Sequence, residues 1–206
     1  MEFIKTVESK TDNTIKYVYK TDDNLIVESS YINKNDGRDI ICVPCQSLCA
    51  MGCKFCHTTD WIGKIKNRNL TGLEIYEQVK DIVERKGLKD TGNVLLVSYM
   101  GCGEPLENYE NVASSMEMIY NIKDIEKKSF AFSTCLPKTS WINLADIAYE
   151  FHYIRPYLDV KTHFSLHFTE DKIRNEYMPA SLNIAESISL LKIYKDYFGQ
   201  NIEIHY

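Results

Sequence analysis

The chain has 206 residues, 44% of them hydrophobic, and a formal charge of −5, enough for one sizeable core. The acidic balance excludes a generic nucleic-acid coat, because nonspecific affinity comes from Lys and Arg neutralising phosphates; any RNA contact has to be local, and no DNA role is expected. No apolar stretch reaches the ~20 residues that span a bilayer and no signal-like leader is visible, so a cytoplasmic protein without membrane association is expected.

In chain order, residues 14–31 alternate apolar and polar through Ile15, Tyr17 and Tyr19, turn at Asp22-Asp23-Asn24 and resume at Leu25 and Val27, the pattern of an antiparallel hairpin. It should cover one edge of a main sheet, so residues 1–38 read as a hairpin extension and residues 39–206 as the core. A turn at 33–37 leads into the apolar run Ile40-Ile-Cys-Val43, the first core strand. After it, Cys49-Ala-Met-Gly-Cys53-Lys-Phe-Cys56 sets three thiols at C-x3-C-x2-C spacing. Three thiolates can hold a four-iron cluster with one iron left for another ligand, whereas a wholly structural cluster normally takes four. A tetrahedral zinc site from Cys42, Cys45, Cys53 and Cys56 is the alternative, although the seven residues between the two pairs are few for a zinc ribbon. Seven cysteines, five of them within residues 42–56, suit a metal site in a reducing compartment better than a disulfide framework. Cys102 and Cys135 read as small buried hydrophobes. Lys64, Lys66 and Arg68, just beyond the loop, form either a solvated face or a local RNA contact.

Thr71-Gly-Leu-Glu74 is a capping box opening a helix with Leu73, Tyr76, Val79 and Val83 on one face and Gly87 as its stop. Val94-Leu-Leu-Val97 is too continuously apolar for a one-sided sheet and predicts a strand covered on both faces. Asn108 caps a helix carrying Val112, Met116, Ile119 and Tyr120, and residues 130–132 supply the next strand. A third helix is expected over 141–152, a strand over 162–168, a helix from Asn183 through Phe198 stopped by Gly199, and a final strand over 202–204. Five strands alternating with four helices predict an α/β fold, a parallel sheet built by right-handed crossovers. In an incomplete (β/α) barrel of this kind the working face lies at the C-terminal ends of the strands.

The polar motifs fall on that rim. Gly101-Cys-Gly103-Glu104-Pro105 follows the second core strand; its glycines let a ligand approach the backbone, and the Glu104 carboxylate can accept from an ammonium group. A tight turn would explain the same string on its own. Ser133 ends the third strand, and alternation puts Ser165 and His167 on one face of the fourth. Singly these read as satisfied core polar groups, and together as candidate contacts to one ligand.

The cysteine loop resembles the signature of radical S-adenosylmethionine (SAM) enzymes, and Gly-x-Gly-Glu one βα unit later resembles their motif for the SAM amino group. The string from Cys42 to Cys56, with Arg68-Asn-Leu70, Gly101-Cys-Gly-Glu-Pro-Leu106, Ser165-Leu-His167 and Met178-Pro179, is similar to the RNA adenine methyltransferases of the RlmN/Cfr group. The resemblance runs from about Glu28 to the last residue. It implies a [4Fe–4S] cluster on Cys49, Cys53 and Cys56, SAM on the fourth iron, Phe55 near the SAM adenine, and SAM contacts from Gly103, Glu104, Ser133, Ser165 and His167. Cys42 is implied as the cysteine that resolves a covalent adduct, and Glu28 as a proton acceptor. The implied reaction methylates carbon 2 or carbon 8 of an adenine in rRNA or tRNA, with electrons from a flavodoxin- or ferredoxin-like reductant. Those carbons are electrophilic and cannot attack a sulfonium methyl group, which is why a radical route is needed. The family's N-terminal accessory domain and the C-terminal segment with the methyl-carrying cysteine have no counterpart in this sequence. The chain is therefore expected to act as an incomplete core that cleaves SAM without methylating RNA. Hydrogen abstraction from another substrate, or a non-catalytic Fe–S or zinc module, are the alternative functions.

Overall fold

A computed structural model describes residues 1–139, 144–146, 149–199 and 202–206. A single eight-stranded sheet follows sequence order: β1 (Glu2–Glu8), β2 (Thr14–Lys20), β3 (Ile26–Asn33), β4 (Arg38–Cys42), β5 (Val94–Tyr99), β6 (Lys127–Thr134), β7 (Val160–Ser165) and β8 (Ile202–His205). Strands β1 to β4 pair antiparallel. From β4 to β8 every pairing is parallel, as the strand–helix alternation predicts. The described helices are α1 (Gly72–Lys86), α2 (Tyr109–Tyr120), α3 (Asp171–Tyr177) and α4 (Ile184–Phe198), with a π-helical turn at Glu150–Ile154. The third helix expected over 141–152 lies partly outside the described residues.

The hairpin β2–β3 covers the β4 edge by pairing with it, Ser30 opposite Cys42 and Ile32 opposite Ile40. Strand β1 was not foreseen, because its side chains are nearly all exposed and leave no period-2 signal. It is held by its ladder to β2 and by Phe3, which meets Tyr19 edge-on at 6.0 Å and carries the Arg85 guanidinium 3.7 Å above its ring.

The Thr71/Glu74 capping box and the left-handed Gly87 stop both form, but the buried face of α1 is offset from the expected one. Ile75, Val79, Ile82 and Val83 are buried while Leu73 is 54% exposed. Gly72 sets this rotation by packing on α2, where a Cβ would lie 3.0 Å from the Asn111 carbonyl oxygen. On α2 the buried face is Val112, Met116 and Ile119, and Tyr120 is exposed. One apolar cluster joins these helix faces to Ile41, Val97, Phe130 and Phe164 of the parallel strands and to Tyr17, Tyr19, Val27 and Tyr31 of the hairpin.

Candidate active site

Two loops at the C-terminal ends of β4 and β5 are packed backbone to backbone, and this fixes the cysteine segment. Cys45 N and Gln46 N both donate to the Cys102 carbonyl, at 2.9 and 3.2 Å. A Cβ on Gly101 would sit 2.6 Å from the Val43 carbonyl, and one on Gly103, at φ +113°, would sit 2.6 Å from Cys45 Sγ. The crowded side of both glycines therefore faces the β4 loop, and close loop packing rather than ligand approach requires them. Asn108 was expected to cap α2, yet its buried side chain makes no cap bond. Its Nδ2 donates to the Cys45 carbonyl at 2.7 Å and the Leu70 carbonyl at 2.8 Å, latching the base of the cysteine loop.

Above this latch a cavity of 300 Å³ opens at the strand ends, lined by Cys49, Cys53, Phe55, Cys56, Gly103, Glu104, Ser133, Ser165 and His167 among others. The structure thus gathers nine of the eleven residues singled out from sequence. Cys42 and Glu28 do not line it. Cys42 ends β4 opposite Ser98 and Ser30, its thiol pushed up by burial, and Glu28 pairs with Lys16 at 2.8 Å on the hairpin.

Electrostatics differ among the thiols. Burial pushes Cys49 up to about 12, whereas a hydrogen bond from Cys135 holds Cys53 below the ordinary thiol value. Glu104 is 3% exposed. Its Oε1 accepts from Leu106 N at 3.1 Å, and its Oε2 from Cys135 N at 3.0 Å and the Cys135 thiol at 3.2 Å. Burial raises this carboxyl despite those donors. Ser133 Oγ is buried with no hydrogen-bond partner among the described residues.

His167 departs from expectation. Strand β7 ends at Ser165, so Ser165 and His167 do not share a strand face. The chain turns sharply there, with Leu166 N and His167 N both donating to the His205 carbonyl and His167 at φ +56°. The turn still delivers the His167 ring to the cavity, 5.3 Å from the half-exposed Phe55 in an edge-on contact. Burial, then the Arg174 charge, lower the imidazole and keep it neutral.

Arg174 escaped sequence reasoning entirely, because an arginine on a seven-residue helix reads as surface. It is fully buried and donates to four carbonyls, Ser165, Leu166, Leu182 and Cys135, at 2.6 to 3.2 Å. It thereby pins the ends of β6 and β7 behind the cavity. Cys102 and Cys135, expected as inert core residues, also line the cavity.

Two expectations are redirected. Cys45 is 2% exposed beneath Gly103, and neither it nor Cys42 lines the cavity that Cys53 and Cys56 line, so the structure does not bring the four cysteines of the zinc arrangement to one site. Lys66 and Arg68 are engaged within the chain: both bind Asp23 of the hairpin turn, at 2.8 and 2.6 Å, and Arg68 forks onto Glu74 of the capping box. Three thiols around an open mouth, an orphaned buried hydroxyl and an exposed aromatic ring fit a thiolate-held cluster with a polar, aromatic-bearing cosubstrate beside it.

The chain is 32% identical, over an alignment 211 residues long that covers 98% of its length, to a probable dual-specificity RNA methyltransferase RlmN from Clostridium acetobutylicum. A protein of the same description from Thermotoga neapolitana is 33% identical over 99% of the chain. The chain spans 55% and 57% of these two relatives, about half of the curated relatives it matches. A crystal structure of a radical SAM methyltransferase from Sphaerobacter thermophilus superposes with a TM-score of 0.81 at 27% identity, covering 99% of this chain and 57% of that one. No family model matches the chain.

A sheet whose parallel strand ends surround a cavity carrying the three loop cysteines, superposing on that structure, defines a radical SAM methyltransferase fold. Within that class the chain belongs to the RlmN-like family, whose members it matches from end to end of its own length.

Proposed function

We propose that the protein works as a radical SAM enzyme of the RNA adenine methyltransferase type. The observation that carries this is the convergence of Cys49, Cys53, Cys56 and the unpartnered Ser133 hydroxyl on one cavity in a chain of RlmN-like sequence. In this reading the three cysteines hold a [4Fe–4S] cluster, and the hydrogen bond from Cys135 favours the thiolate form of Cys53. When bound, the cluster supplies the electron that cleaves SAM reductively. Glu104 and Ser133 orient the SAM amino acid, while Phe55 and His167 flank its adenine. Burial and the Arg174 charge disfavour a protonated His167 ring, so it would add no positive charge to a pocket that takes a cationic cosubstrate.

Cys42 remains the candidate resolving thiol and Glu28 a candidate proton acceptor. An rRNA or tRNA substrate, a flavodoxin- or ferredoxin-like reductant and a cytoplasmic setting complete the reading. No described helix is long and apolar enough to cross a membrane. The division into a hairpin extension (1–38) and a radical SAM core (39–206) is part of the same proposal.

The test supplies reductant, methyl-labelled SAM and unmodified rRNA or tRNA to the reconstituted chain, alone and joined to the remaining length of a relative. SAM cleavage that depends on Cys53, with labelled methyladenosine from the joined form, is expected. Cleavage with no label in either form would favour hydrogen abstraction from another substrate. No cleavage in either form would sink the enzymatic reading.

A further inference from the structure

On the edge of the sheet beside the cavity, a second group of ligating side chains comes together away from the cysteines. The parallel register of β7 and β8 sets His163 opposite Glu203 and Ser165 opposite His205. Residues two apart on a strand share a face, so His163, Glu203 and His205 project on the side that carries Ser165. Their ligand atoms all lie within 4.8 Å of one another. His163 Nδ1 is 2.9 Å from His205 Nε2 and 3.5 Å from Glu203 Oε2.

We propose that His163, Glu203 and His205 form a binding site for a borderline divalent transition metal of the zinc class. Two imidazoles and one carboxylate are a zinc donor set, with bond lengths of roughly 2.0–2.2 Å that put neighbouring tetrahedral donors about 3.3–3.6 Å apart. The observed 2.9 and 3.5 Å need only a few tenths of an ångström of adjustment, and the remaining pair, Glu203 and His205, lies within 4.8 Å and closes by movement of the exposed Glu203 side chain. Calcium and magnesium are disfavoured, since they take oxygen ligands. The two rings facing each other nitrogen to nitrogen must otherwise share one proton, and a metal takes that proton's place. Burial favours the neutral, ligating form of His163. Glu203 is exposed, with 57% of its side chain open to solvent, which gives the ion an entry path. Three protein ligands leave a further coordination position free for water or a ligand. His205 also lines the cavity, so a bound ion would tie the edge strand β8 to β7 at the rim of the cavity. The site is independent of the radical SAM reading, as it shares no ligand with the cysteine loop.

The protein with its cluster reconstituted, so that the loop thiols are occupied, is titrated with Zn2+ against a chromophoric chelator while imidazole 1H–15N spectra are recorded. One zinc per chain is expected, with both His163 and His205 ring resonances shifting and affinity falling at least tenfold in His205→Ala and Glu203→Gln. Unchanged affinity in both variants would assign the zinc to cysteines and overturn the site. So would unshifted His163 and His205 resonances in the unaltered protein, a readout that holds even if a variant fails to fold.

Discussion

Glu104 sits where two demands meet. A carboxylate offers about four acceptor positions; Leu106 N, Cys135 N and the Cys135 thiol take three and the Thr134 side chain also hydrogen-bonds to it, so a cosubstrate donor has to share or displace one of these. If that donor is the SAM ammonium, Glu104→Gln should weaken SAM binding by ~1.5–3 kcal/mol, the scale of a hydrogen bond to a charged group, without lowering iron content. Calorimetric titration of the reconstituted variant checks this, and unchanged affinity removes Glu104 from the SAM contacts. The same carboxyl imposes a pH dependence. Burial raises it above its ordinary 4.5, so the folded state keeps the proton to higher pH than the unfolded state. Its share of stability is full below about 4.5 and falls as pH rises through the raised folded value. The urea midpoint of Glu104→Gln relative to the unaltered protein should therefore rise between pH 4.5 and neutrality; a flat difference would mean the carboxyl is not raised. Arg174 offers a sharper contrast. Its removal would strip donors from four carbonyls around the strand ends, each costing ~1–3 kcal/mol if left buried and unpaired. With partial rearrangement, Arg174→Met should lose about 3–5 kcal/mol of unfolding free energy in urea melts.

At the level of elements, the loops after β4 and β5 behave as one unit. The Gly101 Cβ position is blocked by backbone atoms of Val43 and Pro44 at 2.6 to 2.8 Å, which cannot swing aside as a side-chain tip can. Gly101→Ala should cost ~2–4 kcal/mol by overpacking and loosen the cysteine loop; a urea midpoint close to that of the unaltered protein would show that the two loops separate easily. Local signals made much of this layer legible in sequence. The capping box at Thr71, the cap at Asn183 and the left-handed stops at Gly87 and Gly199 depend on near neighbours and form as read. What stayed hidden depends on distant partners. Asn108 was drawn from its cap by carbonyls 38 and 63 residues away, the face of α1 was turned by Gly72 against α2, and Arg174 was recruited inward by carbonyls that no sequence window contains. The cysteine spacing was legible because chelation is local, whereas Cys102 and Cys135 reached the cavity only through strand order.

Across the whole molecule the antiparallel and parallel halves share one sheet and one apolar cluster. Tyr19 is 2% exposed, packs within the same cluster as Ile41 and Val97, and donates to Asp81 of α1 at 3.0 Å. Asp23 at the hairpin tip binds Arg68 and Lys66 beyond the cysteine loop, and the N-terminal ammonium binds Glu77 of α1. Removing residues 1–37 would expose the β4 edge beside Cys42, leave one face of α1 uncovered and leave Asp81 with Arg85 but without the Tyr19 hydroxyl. An open strand edge with a bared apolar face favours association over folding. The hairpin and core should accordingly unfold in one cooperative transition, with coincident urea midpoints by circular dichroism and by hydrogen exchange in β2 and β5. Residues 38–206 expressed alone should aggregate or show no cooperative melt. A fragment that melts cooperatively and still takes up four irons per chain, as an intact [4Fe–4S] cluster requires, would show that the hairpin is an accessory to the site rather than part of the structure that holds it.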